Sequence, residues 1–168
     1  MAKFDPAFDK AVLAEGGYKL TNIPADKGGM TYCGIARNRW SSWSGWAFVD
    51  RGEIPPTQMV REFYQSKFWD VVKGDYILHQ KTADSLFDFG VNAGPTTAIK
   101  LAQIVAGVAP DGAVGPKTLQ ALNVIDEETF QTKFALAKIA RYRDIVMKDR
   151  TQHVFFLGWV NRALKVMA

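Results

Sequence analysis

Two adjacent glycines, Gly16 and Gly17, follow the first helical stretch of this chain and fix where that helix must stop. Glycine enters the left-handed conformation at little cost, so the pair predicts a helix cap. Upstream, Phe4, Phe8 and Val12 recur every four residues, with Asp5 placed as an N-cap and Pro6 suited to the first helical position. The glycines therefore leave Glu15 in the last turn, at the negative end of the helix dipole. Cations are favoured there, so the position works against ionisation of a carboxyl, and burial would add to the effect. A carboxyl kept protonated near neutral pH is suited to general acid catalysis. A structural ion pair between Glu15 and a nearby arginine is the alternative.

Downstream, Tyr18 to Asn22 and Met30 to Gly34 read as two short strands around a turn at Asp26-Lys27-Gly28-Gly29. Such a hairpin carries Asp26 at its tip and Thr31 on the return strand, facing the helix end. A glutamic acid opposed to an aspartate is the apparatus of glycoside hydrolysis, one carboxyl protonating the leaving oxygen and the other serving as base or nucleophile. A hydroxyl such as Thr31 suits the positioning of water. An Asx-turn at Asp26 and an ordinary strand threonine account equally well for those two residues taken singly.

The run E-G-G-Y, followed by P-A-D-x-G-G-x-T-x-x-G-I, resembles the opening of the glycoside hydrolase family 108 N-acetylmuramidases of phage endolysins and of bacterial proteins once called secretion activators. The resemblance implies that Glu15 is the catalytic acid. The order Glu, Asp, Thr is also similar to the phage lysozyme pattern E-x8-D-x5-T, here with spacings E-x10-D-x4-T, which relates Asp26 and Thr31 to its second and third members. Three later stretches are similar to family segments in the same order: YQSKFWD ending at Asp70, FDFGVNAGP ending at Pro95, and FLGWVNR ending at Arg162. PDGAVGPKT, from Pro110, resembles a segment of small peptidoglycan-binding modules. The implied fold is mainly α, lysozyme-like, a helical bundle with one small β-hairpin beside the catalytic helix. The implied division is a muramidase lobe over 1–90 and a helical lobe resembling a peptidoglycan-binding region over 91–168, packed as one compact unit. The implied reaction is hydrolysis of the β-1,4 bond between N-acetylmuramic acid and N-acetylglucosamine. Tyr18, Tyr32 and Asn92 are the candidate substrate-binding residues; for Asn92 a carboxamide holding an N-acetyl group competes with simple capping of a helix end. A lytic transglycosylase, and a non-catalytic wall-binding or secretion-accessory protein, are the alternatives.

The 168 residues, 48% of them hydrophobic, suffice for one domain or two small lobes sharing a core. A lone cysteine, Cys33, excludes an internal disulfide and suits synthesis in a reducing cytosol. Lys3 is followed by Phe4-Asp5-Pro6-Ala7 rather than an apolar run, so a chain made in the host cytoplasm without a signal peptide is expected. The resemblance then implies action at the cell wall after holin-type release. No cofactor is expected, and His79 and His153 stand far apart without a surrounding carboxylate pattern, so no metal site is expected either.

The net charge is +4, but from Lys133 onward eight bases face two acids, Asp144 and Asp149, leaving the first 132 residues slightly acidic. A basic C-terminal region fits an anionic partner such as cell-wall peptide, lipopolysaccharide or anionic lipid; a solvated helix face is the plainer alternative. The absence of a basic-aromatic or zinc-type motif argues against nucleic acid. A monomer binding glycan strands is expected.

Further along, Trp40, Trp43 and Trp46 are spaced by three but interrupted by serines and Gly45; one is expected to line the cleft. Helices are expected over Thr57–Trp69, with Val60, Phe63, Tyr64 and Phe68 inward and Trp69 in the core, and over Thr82–Val91. Gly94-Pro95 breaks the chain before a helix over Thr96–Val105. A short helix follows two turns in Pro110–Leu122. Asp126 caps a long helix to about Arg150, and Thr151 is placed to cap the last one. Arg162 is expected to pair with a carboxylate near the catalytic lobe, and Asp88 to be structural.

Overall fold

The computed structural model describes residues 1–14, 16–22 and 29–165. Helix α1 spans Phe4–Ala14. A three-stranded antiparallel sheet follows, in the order β1 (Leu20–Asn22), β2 (Met30–Tyr32), β3 (Ile35–Ala36). Next come α2 (Trp46–Val49), α3 (Thr57–Tyr64), α4 (Gln80–Ala93), α5 (Pro95–Val105), α6 (Pro116–Val124), α7 (Glu127–Lys148) and α8 (His153–Lys165). The mainly α, lysozyme-like class expected from the sequence is the class observed.

Local chemistry explains most boundaries. Gly16 and Gly17 take φ of 88° and 79°, and the Gly17 N–H donates to Val12 O at 2.8 Å, closing α1 as expected. The start of α1 differs from the sequence reading. The helix begins at Phe4, so Asp5 sits inside its first turn and pairs with Arg61 on α3 instead of capping. The same Arg61 guanidinium lies over the Phe4 and Phe8 rings, at 4.9 and 5.8 Å. Asp126 does cap α7, accepting from the Thr129 N–H at 2.8 Å. Ahead of α8, Thr151 is not a cap but lies inside a short 3-10 turn, Arg150–Gln152, that Asp149 caps by accepting from the Thr151 N–H at 3.0 Å.

The expected two-stranded hairpin has a third strand. Tyr32 and Ile35 pair across a two-residue turn in which Cys33 (φ 49°) and Gly34 (φ 76°) are both left-handed. That is the signature of a type I′ turn, whose twist matches the strands it joins.

One core runs through the molecule. Its centre is aromatic: Phe4 and Phe8 of α1 meet Tyr64, Trp69 and Phe87, with ring centroids 5.4–5.8 Å apart along the chain Phe8–Phe4–Trp69–Phe87. The helix carrying Tyr64 widens into one π-type turn over Gln65–Trp69, where the Asp70 N–H reaches back five residues to Gln65 O. Both Phe68 and Trp69 are buried in this turn. Trp69 is fully buried, as expected, and its Nε1 donates to Asp75 at 2.8 Å. Gly74 lies so close that a Cβ there would stand 2.3 Å from the Trp69 ring.

Helix α4 joins the two halves. It packs against α1 on one side and against α5 and α7 on the other. Arg162 of α8 pairs with Asp88 of α4 at 2.9 Å, the carboxylate partner the sequence anticipated. The loop before α6 is held from inside by Gln103. Its amide donates to Asp111, to Ala113 O and to Thr118 (2.7, 3.0 and 3.1 Å) and accepts from the Gly112 N–H.

Candidate active site

Glu15 and Asp26 lie outside the described residues, and what surrounds them in sequence frames the site. The capped end of α1 leads into Glu15. Strands β1 and β2 flank the segment that carries Asp26, with Leu20, Thr21 and Asn22 paired to Tyr32, Thr31 and Met30. This register places Thr31 opposite Thr21, whose hydroxyl faces Thr31 O at 3.4 Å, and the Thr31 hydroxyl faces Gly29 O at the same distance. Both contacts are long, so the Thr31 hydroxyl is free to take a better partner. Thr31 is half-buried, on the opposite face of β2 from the buried Tyr32.

A buried hydrogen bond anchors the sheet to α3. The Tyr64 hydroxyl donates to Cys33 O at 2.9 Å in the interior, and the Cys33 N–H donates to Lys19 O. The strand carrying Thr31 is thereby tied to the helix that packs on α1. Tyr32 stacks on Trp43 with centroids 6.1 Å apart, and its buried hydroxyl has no hydrogen-bond partner among the described residues. Burial raises the Tyr32 pKa above the usual phenol value, and negative charge at Cys33 and Tyr18 adds to it. Tyr18 is 44% exposed, between α1 and the sheet. Its pKa is also raised, first by partial burial and then by Cys33 and Asp9, with Arg61 opposing.

Of the sequence-derived candidates, Tyr18, Thr31 and Tyr32 thus sit together on the sheet and its lead-in. Asn92 stands apart, exposed on the last turn of α4 beside the Gly94–Pro95 break. Tyr18 presents an open ring, whereas Tyr32 contributes through the stacking that holds the sheet on Trp43.

The tryptophan-rich segment divides. Trp46 is buried and its Nε1 donates to Trp40 O at 2.8 Å. Trp40 and Trp43 line an open groove of about 260 Å³ together with Ser42, Ser44, Met59, Glu62, Phe63, Ser66 and Lys67. The indole of Trp40 is braced edge-on by Phe63 at 5.1 Å and faced by Arg39 and Lys67 at 5.6 and 5.9 Å. An aromatic wall rimmed by hydroxyls and a charge of each sign suits the apolar face and hydroxyl edge of a sugar ring. The tryptophan spacing pointed to this region; the α3 side of the groove, Glu62 to Lys67, had no motif to mark it.

Known proteins bear on the same architecture. A family model described as Glycosyl hydrolase 108 matches residues 8–94, just over half the chain, and one described as Predicted Peptidoglycan domain matches residues 97–164. The gap between them falls at the Gly94–Pro95 break where α4 gives way to α5. Among solved structures, SagA of Brucella abortus is similar, with a TM-score of 0.77 and 25% sequence identity, over 98% of this chain and 91% of that one. No curated protein matches the chain. The protein therefore belongs to the glycosyl hydrolase 108 family, and it joins that hydrolase segment to a peptidoglycan domain.

Proposed function

We propose that this peptidoglycan hydrolase is an N-acetylmuramidase, cleaving the β-1,4 bond between N-acetylmuramic acid and N-acetylglucosamine. The observation that carries this reading is the union, in one chain, of a glycosyl hydrolase 108 segment opening with E-G-G-Y and a peptidoglycan domain. Glu15 protonates the leaving glycosidic oxygen, as a carboxyl following the negative end of a helix is disposed to do. Asp26 orients or activates the attacking water and Thr31 assists it. The chemistry consumes one water per bond: the proton from Glu15 goes to the leaving sugar, and the proton released by water restores an acid. Tyr18, with its open ring, is assigned to substrate positioning, and Tyr32 supports the sheet beside it from the core; no cofactor enters the scheme.

The biological setting proposed is host lysis by a phage endolysin, made in the cytoplasm and admitted to the wall by a holin-type pore. Among the described residues no helix is long and apolar enough to cross a membrane. Expression in a bacterial host with and without a holin tests this setting. Lysis only with the holin supports it, and lysis without it points to another route.

The reaction itself is tested by digesting purified peptidoglycan and reading the fragment ends by mass spectrometry. Reducing N-acetylmuramic acid ends are expected. Anhydro ends would make the protein a lytic transglycosylase, and N-acetylglucosamine reducing ends would move the cut to the other glycosidic bond.

A further inference from the structure

A second groove, of about 340 Å³, lies between α5 and α7, inside the segment matched to the peptidoglycan domain. Its floor is aliphatic: Leu101, Ile104 and Ile145, with Ile104 59% exposed. Its rim carries three cations, Lys100, Arg141 and Lys148. None of the three makes an ion pair with a described residue. The one acid in the lining, Asp144, is already held by Arg143 through two N–H donors at 3.0 and 2.7 Å. Asp111, on the loop beside Lys100, accepts from the Gln103 amide and the Ala113 N–H and offsets part of the Lys100 charge. The lining itself carries three cations against one acid, so the groove is net positive.

Arg141 adds an independent sign. Its Nε is buried yet has no hydrogen-bond partner among the described residues. A buried donor left unmade is costly, and the rest of a guanidinium can match a carboxylate through two parallel bonds. The groove contains no aromatic side chain, so it lacks the flat apolar face on which sugar rings stack. Cations above an aliphatic floor suit an extended peptide bearing carboxylates and small apolar side chains.

We propose that the α5–α7 groove is where the C-terminal half grips the cell wall, and that it takes the carboxylate-bearing peptide of peptidoglycan rather than the glycan. The inference rests on the peptidoglycan reading of residues 97–164. It gives the two halves separate tasks: the first acts on sugar, and the second holds the peptide that branches from it. It also accounts for part of the basic excess after Lys133, since Arg141 and Lys148 belong to that excess.

The test uses the full chain carrying Glu15→Ala, so that the wall is not consumed. Binding is measured by calorimetry to a soluble stem peptide with free carboxylates, to the same peptide with its carboxylates amidated, to glycan strands stripped of peptide, and to vesicles of anionic lipid. The free peptide is expected to bind, and amidation is expected to weaken it by about tenfold or more. Lys100→Gln combined with Arg141→Gln should produce a similar loss, with an unchanged melting temperature verifying the fold. Lys148→Glu, an exposed change at the rim, provides a second variant with the same expected direction. Stripped glycan binding as well as intact wall, equal affinity for the amidated peptide, or vesicle binding without peptide binding would each overturn the proposal. Turnover by the wild type is measured separately. Wall fragments without peptide binding remove the groove assignment alone, and peptide binding without fragments removes the hydrolase reading alone.

Discussion

At the scale of single residues, the informative positions are those where one atom more or less changes what the backbone can do. Gly74 is such a position, because its missing Cβ is the space occupied by the buried Trp69 ring. Gly74→Ala is expected to destabilise the protein by about 1–3 kcal/mol through overpacking, read from urea unfolding. A variant as stable as the wild type would mean that Trp69 can shift, and that the aromatic centre is looser than its packing indicates. Asp126 is a second such position. Its pKa and that of Asp111 are held below the ordinary value of 3.8, chiefly by hydrogen bonds from backbone N–H groups. A carboxyl with a depressed folded pKa contributes stability that is full above its unfolded value and is lost as the pH falls through the folded one. The melting temperature should therefore drop below about pH 4. Asp126→Asn keeps a capping oxygen without a titrating proton, so it should flatten that acid limb relative to the wild type. An acid limb of unchanged steepness would assign the loss to other carboxyls.

At the scale of elements, the helices were legible in the sequence because their ends are written in special residues. Gly16-Gly17, Gly94-Pro95 and Asp126 mark boundaries that the structure keeps. The four-residue recurrence of Phe4, Phe8 and Val12, and the inward set Val60, Phe63, Tyr64 and Phe68, are all buried. What was not legible has physical reasons. The turn between β2 and β3 places a cysteine, not the usual asparagine or aspartate, in a left-handed conformation, so it lacks a compositional mark. The π-type turn at Gln65–Trp69, which buries Phe68 and Trp69, has no local signature in the sequence. Asp5 reads as a cap until Arg61, distant in sequence, is brought beside it. In the candidate site, the sheet that groups Tyr18, Thr31 and Tyr32 could be anticipated. The groove at Trp40 and Trp43 could be anticipated only in part, because α3 supplies half of it. The anchor of the sheet offers a test at this scale. Tyr64→Phe removes the hydrogen bond to Cys33 O and should cost about 1–2 kcal/mol, since a buried carbonyl loses a donor. It should also lower turnover more than it lowers substrate binding, because the strand carrying Thr31 loses its tie to α3. Full activity in a destabilised variant would separate the tie from catalysis.

At the scale of the whole molecule, one aromatic core carries both halves, and the surface ion pairs decorate it. The Asp88–Arg162 pair joins α8 to α4, but both side chains are about one-third exposed. Pairs of that exposure contribute about 0.2–1 kcal/mol, against about 3–5 kcal/mol for a buried ring. Arg162→Ala should therefore have a small effect, and Phe134→Ala, at a fully buried position shared with Phe89 and Phe130, a large one. Denaturant unfolding of the two variants checks the order. A larger loss from Arg162→Ala would show that the halves are held by charge rather than by the shared core.

The central claim is that this chain cuts peptidoglycan with Glu15 as its acid. The most direct measurement compares wild type and Glu15→Ala on purified peptidoglycan, with folding of the variant followed by circular dichroism and thermal unfolding. The account predicts fragments ending in reducing N-acetylmuramic acid from the wild type, and none from a variant that is folded and still binds the wall. Fragments released by Glu15→Ala at a rate near that of the wild type would contradict it.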